Sequence, residues 1–532
     1  MSSNWSPVFV PGDNFPAEIA GVSNGGTVTL SAPAPFPVNG VVLGEAGHPT
    51  TAPVGVGTMI LSTGGSLNVI AQGSEDGTIP AVGAFRVGVG GTGVGHFEMT
   101  GGALNVSDAL SSAGAAASSI ALSGNASLSV GSASLQRITR IRGPNVSFES
   151  AGPVDIGGTF IPEITAATHS LIDAFGSPVN VSGTIAPQFS GFSPAVGTTW
   201  TLAQGSQVSG NFTNAKNVLV TGFTPATGAK LEAVNSGTTL TLEYINALTL
   251  SVDRRTGLAQ IVNHIGNIAY DGYSIRDSFG NLSPGTWSSL DDQGTSGNSW
   301  LEANPTTSAI SELNPTNSTT LAPGAANVLG KILAPPTEFG QPDPNLVFEY
   351  HAENGRTVSG IVDLSGKYNN LVLIVDPATG QAAIQNQSPF DVELDGYSIA
   401  SVSGSLSVAQ WNSLDDQNAA GGTFLEANPT TTRLNELNPT SSLPMAADSL
   451  ARSIGSPFNV AGARDLTFTF HLAGGGGGPL GDTNGDGAVN LDDLNNVRNN
   501  FGSKGMGDTD GDADVVLDDL NNVRNILGAW GG

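Results

Sequence analysis

The sequence predicts a mainly β protein assembled from several modules, and three observations carry that expectation. Short apolar-polar alternations broken by glycine pairs fill residues 1–246, where helical periodicity is almost absent. Residues 247–473 contain a long duplication. The composition, with 72 Gly and 31 Pro against only 18 Lys and Arg, favours turns and strands over surface helices. A length of 532 residues calls for several domains.

In the amino-terminal part the unit is a strand, a tight glycine turn and a second strand. Met59–Leu61 leads through Gly64 and Gly65 into Leu67–Val69, and Phe97–Met99 leads through Gly101 and Gly102 into Leu104–Val106. A looser copy runs from Ile120 through Gly124 to Val130, with lesser echoes at Val42–Gly44 and Arg86–Gly88. The turns at Gly64, Gly101 and Gly124 lie 37 and then 23 residues apart. Uneven coils of this kind predict a β-solenoid over 1–246, each rung's apolar face stacking on the next, with a plain β-sandwich as the alternative. The Gly-Gly turns resemble those of passenger-like β-helix regions of bacterial surface proteins. Strands at Val146–Phe148, Val179–Val181 and Trp200–Leu202 should close its far end.

The duplication follows. Asp271-Gly-Tyr273-Ser-Ile275 returns 124 residues on as Asp395-Gly-Tyr397-Ser-Ile399, and Trp287 to Gln293 returns as Trp411 to Gln417. Leu301 to Pro305 and Glu312 to Pro315 return as Leu425 to Pro429 and Glu436 to Pro439. Upstream, Val252, Asp253 and Gly257 match Val375, Asp376 and Gly380 at an offset of 123, so one residue was inserted in the second copy. Each copy ends in an alternating strand, Leu346–Tyr350 or Leu466–Phe470. Two β-sandwich modules are expected, 247–366 and 367–473, each the size of one domain. The run Ala383–Asn386 with Val392–Tyr397 resembles the start of a lamin-tail-like, immunoglobulin-type domain. Trp287 and Trp411 read as core anchors, with sugar stacking as the other use of an indole. The Asp-Asp-Gln triplets read as hydrophilic turns, with cation binding as the alternative.

A glycine-rich linker, 474–480, separates this body from the region 481–532. There, two twelve-residue acidic loops stand twenty-six positions apart. The first offers Asp482, Asn484, Asp486, the Ala488 carbonyl, Asn490 and Asp493, and the second offers Asp508, Asp510, Asp512, the Asp514 carbonyl and Asp519. Oxygens at loop positions 1, 3, 5, 7 and 12 are what Ca²⁺ requires. The two sites are unequal. Gly487 takes the sharp turn of the first loop, but Ala513 holds that position in the second, where Val516 also replaces the oxygen of Asn490. Leu491–Asn499 recurs unchanged as Leu517–Asn525. After each loop the apolar residues keep helical spacing, Leu491, Leu494, Val497 and Phe501, then Leu517, Leu520, Val523 and Ile526, with Gly502 and Gly528 as stops.

These loops and helices resemble a type I dockerin, a paired-loop module that plugs into a cohesin. The resemblance implies two Ca²⁺ ions and a partner surface made of Leu491, Asp492, Arg498, Leu517, Asp518 and Arg524. The small hydroxyl residues common at loop positions 10 and 11 of dockerins are missing, so the partner should differ from the best-known cohesins. Because the helices are near copies, docking in either of two orientations is expected.

Charge and motifs narrow the function. A formal charge of −27 excludes phosphate-backbone binding as a main role. With no cysteine there are no disulfides or thiolate sites. No apolar run reaches the ~20 residues of a membrane helix. No signal peptide is visible after Met1, so a trimmed leader or another export route is expected. No nucleophile elbow, zinc-type histidine pair or phosphate loop occurs. Asp155, Glu163 and Asp173 are scattered, as are Arg86, Arg137, Arg140, Arg142, Lys216 and Lys230, and His48, His96 and His169 sit in unrelated contexts. The expectation is a non-catalytic extracellular or cell-surface protein, anchored or assembled through Ca²⁺. Its partner would be a cohesin-like protein or copies of itself. The alternative is a polysaccharide-degrading lyase or glycosidase, or a carbohydrate-binding protein, carrying the same docking module.

Overall fold

The structure is a computed structural model, and it describes residues 19–473 apart from 23–24, 35–36, 46–54, 72–82, 90–91, 298 and 354. Among the described residues the fold is mainly β, with strands and short 3-10 turns but no α-helix. No helix among them is long and apolar enough to cross a membrane.

Residues 19–246 build two stacks of parallel strands. One runs through Ile19–Val22, Gly40–Glu45, Ala84–Val89, Ala103–Ser112, Ser127–Leu135 and Ser147–Ser150. The other runs through Gly26–Leu30, Val56–Leu61, Val94–Met99, Ser119–Leu122, Ile138–Arg142 and Thr159–Ile164. The strands just named alternate between the stacks along the chain, and the Gly64 and Gly124 turns are corners from one stack to the other. Many of the strands alternate buried residues with more exposed ones, as in Val56–Leu61 and Ser127–Leu135. The inward set, including Leu61, Phe97, Leu122 and Phe160, forms one continuous core.

Two glycines within strands of the first stack tolerate no side chain. Gly44 has φ +64, and a Cβ there would sit 1.9 Å from the Val94 carbonyl oxygen. Gly88, at φ +74, would meet the Ala113 carbonyl at 2.4 Å. A left-handed backbone position pressed against a neighbouring strand admits only glycine. The far end breaks the parallel pattern: Thr199–Gln204 pairs antiparallel with Thr239–Asn246, which pairs antiparallel with Ala229–Asn235. Buried Trp200 packs edge-on against Phe189 there, and donates from Nε1 to the Ala166 carbonyl at 3.1 Å.

Two further cores follow, one from Leu248 to Val358 and one from Leu371 to Phe470 with its half-buried rim. In the first copy, one sheet orders Ala326–Lys331, Leu258–Val262, Thr249–Asp253 and Ile361–Ser365. The other sheet centres on Ile268–Asp277, flanked by Ala309–Leu313 and Leu346–Ala352. The second copy repeats this with Leu371–Val375, Ala382–Asn386 and Arg452–Ser453, and with Val392–Ser401 between Arg433–Leu437 and Leu466–Leu472. Buried Asn263 and Asn386, still at the offset of 123, bond to the carbonyls of Leu321 and Met445. Ile268 and Val392 pair with those same two residues at the offset of 124. The inserted residue therefore lies in the turn between.

Candidate functional site

The calcium-ligand candidates Asp482, Asn484, Asp486, Ala488, Asn490, Asp493, Asp508, Asp510, Asp512, Asp514 and Asp519 lie outside the described residues. So do the partner-contact candidates Leu491, Asp492, Arg498, Leu517, Asp518 and Arg524. What the structure brings together is a second constellation, present once in each copy of the duplication.

Antiparallel register sets Tyr273 opposite Glu312 and Tyr397 opposite Glu436. The Tyr273 hydroxyl donates to Glu312, and the same carboxylate accepts the backbone N–H groups of Leu290 and Asp291, both at 2.9 Å. In the second copy Glu436 accepts from Tyr397 and from the N–H groups of Leu414 at 2.9 Å and Asp415 at 2.8 Å. Trp411 Nε1 donates to the Tyr397 hydroxyl oxygen at 3.1 Å. Both glutamates are buried. Burial pushes their carboxyls above the ordinary glutamate range, against the pull of their hydrogen-bond donors. Burial and the facing glutamate push the Tyr273 and Tyr397 phenols up as well.

The Asp-Asp-Gln triplets are thus turns held from beneath by a buried carboxylate. Gln293 tightens the first by donating to the carbonyls of Ser288 and Val328, at 2.9 and 2.8 Å, and Gln417 does the same to Asn412 and Ser453. Among the described residues no group of three His, Cys, Asp or Glu side chains could hold a metal ion. Trp287 and Trp411 are both buried, which leaves neither indole face open for a sugar. The duplicated Asn-Pro pairs also have a local cause: Asn304 and Asn428 take φ of +37 and +43, a left-handed conformation that asparagine tolerates best among non-glycine residues.

Three acids of the stacked region are engaged separately, between neighbouring strands. Asp155 accepts from Asn180 at 2.6 Å, Asp173 from Gln204 at 2.8 Å, and Glu163 from Arg140 at 2.5 Å. His96 meets the Ser119 hydroxyl at 2.9 Å, while His169 lies between the carbonyls of Ser170 and Ile141 with its pKa lowered by burial. His48 lies outside the described residues.

Ion pairs concentrate where one core meets the next. Arg356 reaches from the first copy to Glu232 and Glu243 of the stacks, and Lys216 reaches back to Glu349. Burial pushes Lys230, beside Glu232, down to about 8. At the second junction Asp448 holds Arg255 and Lys367, and Arg254 pairs with Asp343 at 2.9 Å while lying over the Tyr368 ring. These cations line a cleft with Asn281 and Gln341, but Asp343 and Asp448 already engage them.

The Tyr–Glu pairing was missed at the level of sequence, although its signal was present. Tyr and Glu recur 39 residues apart in both copies, inside motifs that otherwise look like surface turns. No known family model matches the chain, and none of the curated proteins compared with it does.

Proposed function

We propose that this is a non-catalytic extracellular structural protein. A β-solenoid (1–246) and two lamin-tail-like β-sandwich modules (247–366 and 367–473) form its body, and a dockerin-like module (481–532) attaches it through Ca²⁺ to a cohesin-like receptor or to other copies of the chain. The paired twelve-residue loops carry this reading, because two in-register copies of oxygen ligands at cation spacing have no simpler use. The commitment of Asp155 and Asp173 to strand-to-strand contacts, and of Glu312 and Glu436 to buried staples, supports a scaffold over a hydrolase.

Titration calorimetry of the chain with Ca²⁺ should give a stoichiometry of about two. A value near one would mean that Ala513 and Val516 disable the second loop, and zero would overturn the reading. Changing Leu491 and Leu517 together to Asp should abolish docking while both ions stay bound, and either change alone should leave it largely intact. Turnover of pectin, alginate, xylan or cellulose, lost on replacing one acidic residue in 1–246, would favour the rival lyase or glycosidase.

A further inference from the structure

The two copies of the duplication differ at one sheet edge. In the first, Thr249–Asp253 is covered by Ile361–Ser365, which pairs with it in parallel from Thr249 opposite Ile361 to Asp253 opposite Ser365. Under that cover Leu248, Leu250 and Val252 are fully buried, as are Phe348 and Tyr350 across the core. The corresponding strand of the second copy, Leu371–Val375, pairs with Ala382–Asn386 on one side and with no strand on the other among the described residues. Leu373, Val375, Phe468 and Phe470 are only half-buried there, and Ile374 is 43% exposed.

Backbone direction defines what this edge offers. Asn370 accepts from Gln387 and Asp376 donates to Gln381, so even-numbered residues of the strand face its paired neighbour. The amides and carbonyls of Leu371, Leu373 and Val375 therefore point to the open side. The loop Glu338–Gly340 closes only the beginning, through Gly340 N–H to the Asn369 carbonyl at 3.1 Å and Phe339 packed edge-on against Phe470.

Sequence differences sharpen the contrast. Where the covered strand carries Thr249 and Ser251, the open one carries Val372 and Ile374, giving an unbroken Leu-Val-Leu-Ile-Val run. An edge meant to stay solvated gains charge or proline, not more apolar surface. By sequence, the chain's continuation lacks the apolar residues of that cover. Counted from the matching strands Leu346–Ala352 and Leu466–Leu472, the counterpart of Ile361–Ser365 is Gly481-Asp-Thr-Asn-Gly485, preceded by the glycine run 474–478.

We infer that this edge is a self-association surface. Leu371–Val375 pairs antiparallel with the same strand of a second copy about a two-fold axis at Leu373, joining the two sheets into one. In that register Leu371 faces the partner's Val375 and Val372 faces the partner's Ile374, so every facing pair is apolar. The surface uses none of the calcium-loop residues and operates without the ion.

The test is sedimentation velocity on the full chain in excess chelator, which silences calcium-dependent docking and so separates failure of this inference from failure of the docking reading. A concentration-dependent dimer is expected. Ile374→Lys, and separately the pair Val372→Thr with Ile374→Ser, which restores the residues of the covered copy, should weaken it by more than about tenfold without changing the melting midpoint. A chain that stays monomeric up to its solubility limit overturns the proposal, as does a dimer indifferent to both variants. A ladder of larger species sensitive to the variants would mean pairing with a different strand, and overturns the two-fold form. Slow hydrogen exchange at Leu373 and Val375 in a monomer would show that the chain covers its own edge, and overturns it too.

Discussion

The two copies of the duplication share a polar staple and differ in how their cores are closed. Glu312 and Glu436 hold their turns through the same three donors, with backbone distances of 2.9 and 2.9 Å in one copy and 2.9 and 2.8 Å in the other. Phe348 and Tyr350 are buried, whereas Phe468 and Phe470 in the equivalent places are half-exposed. A buried carboxylate is costly to disturb, since every donor it leaves behind would be stranded. Apolar cover is negotiable, because any strand of suitable pattern can supply it. Duplication has therefore preserved the first and released the second.

The largest expected difference lies in the aromatic rows. Phe348→Ala should cost about 3–5 kcal/mol, the range for a filled core site, and Phe468→Ala distinctly less in the monomer. Chemical denaturation with hydrogen exchange read strand by strand would resolve the two copies. Equal losses would mean that the second core is covered after all.

Next come the staples. Glu312→Ala and Glu436→Ala should each destabilise their own copy by about 2–4 kcal/mol, through a lost tyrosine bond and two stranded backbone donors. Similar effects in both copies are expected here. A large asymmetry would break the comparison at its conserved point.

A smaller effect concerns pH. Both carboxyls have folded-state pKa values raised by burial, so between the ordinary glutamate value and the raised one the folded chain binds more protons than the unfolded chain. This contribution to stability is fully present below the ordinary value and is lost as pH rises through the raised one. Glu312→Gln and Glu436→Gln should flatten that part of the stability profile, and an unchanged slope would assign it to other groups.

The smallest effect should come from the paired histidines. His351 meets Asp271 at 2.5 Å, and His471 meets Asp395. Both contacts are partly solvated, so either His→Ala change should cost under about 1 kcal/mol. His471, with 18% of its side chain exposed against 40% for His351, should give the larger of the two.

Much of the architecture was legible in the residues themselves. Alternation in Met59–Leu61 and Phe97–Met99 marked strands with one inward face, because period-two patterning is what a half-buried strand requires. The glycines at 64 and 124 marked turns between strands, and at Gly124 the structure shows the Thr100 carbonyl that a side chain would meet at 2.3 Å. The offsets of 124 and 123 marked two related units and one insertion between their landmarks. The acidic loops stand at cation spacing by sequence alone.

Other features required the folded chain. Tyr273 and Glu312 lie 39 residues apart and meet only because one strand register places them opposite each other. Asp291 reads from the sequence as part of a hydrophilic turn, but the buried carboxylate beneath its amide is visible only in the fold. The strand Ile361–Ser365 lies beyond the last recognisable repeat motif of the first copy, yet it completes that copy's core. Side-chain pattern states which face of a strand turns inward, and that much the sequence determined. Which edge meets which is decided by backbone groups that every residue carries alike, so only the tertiary structure distinguished the closed edge from the open one.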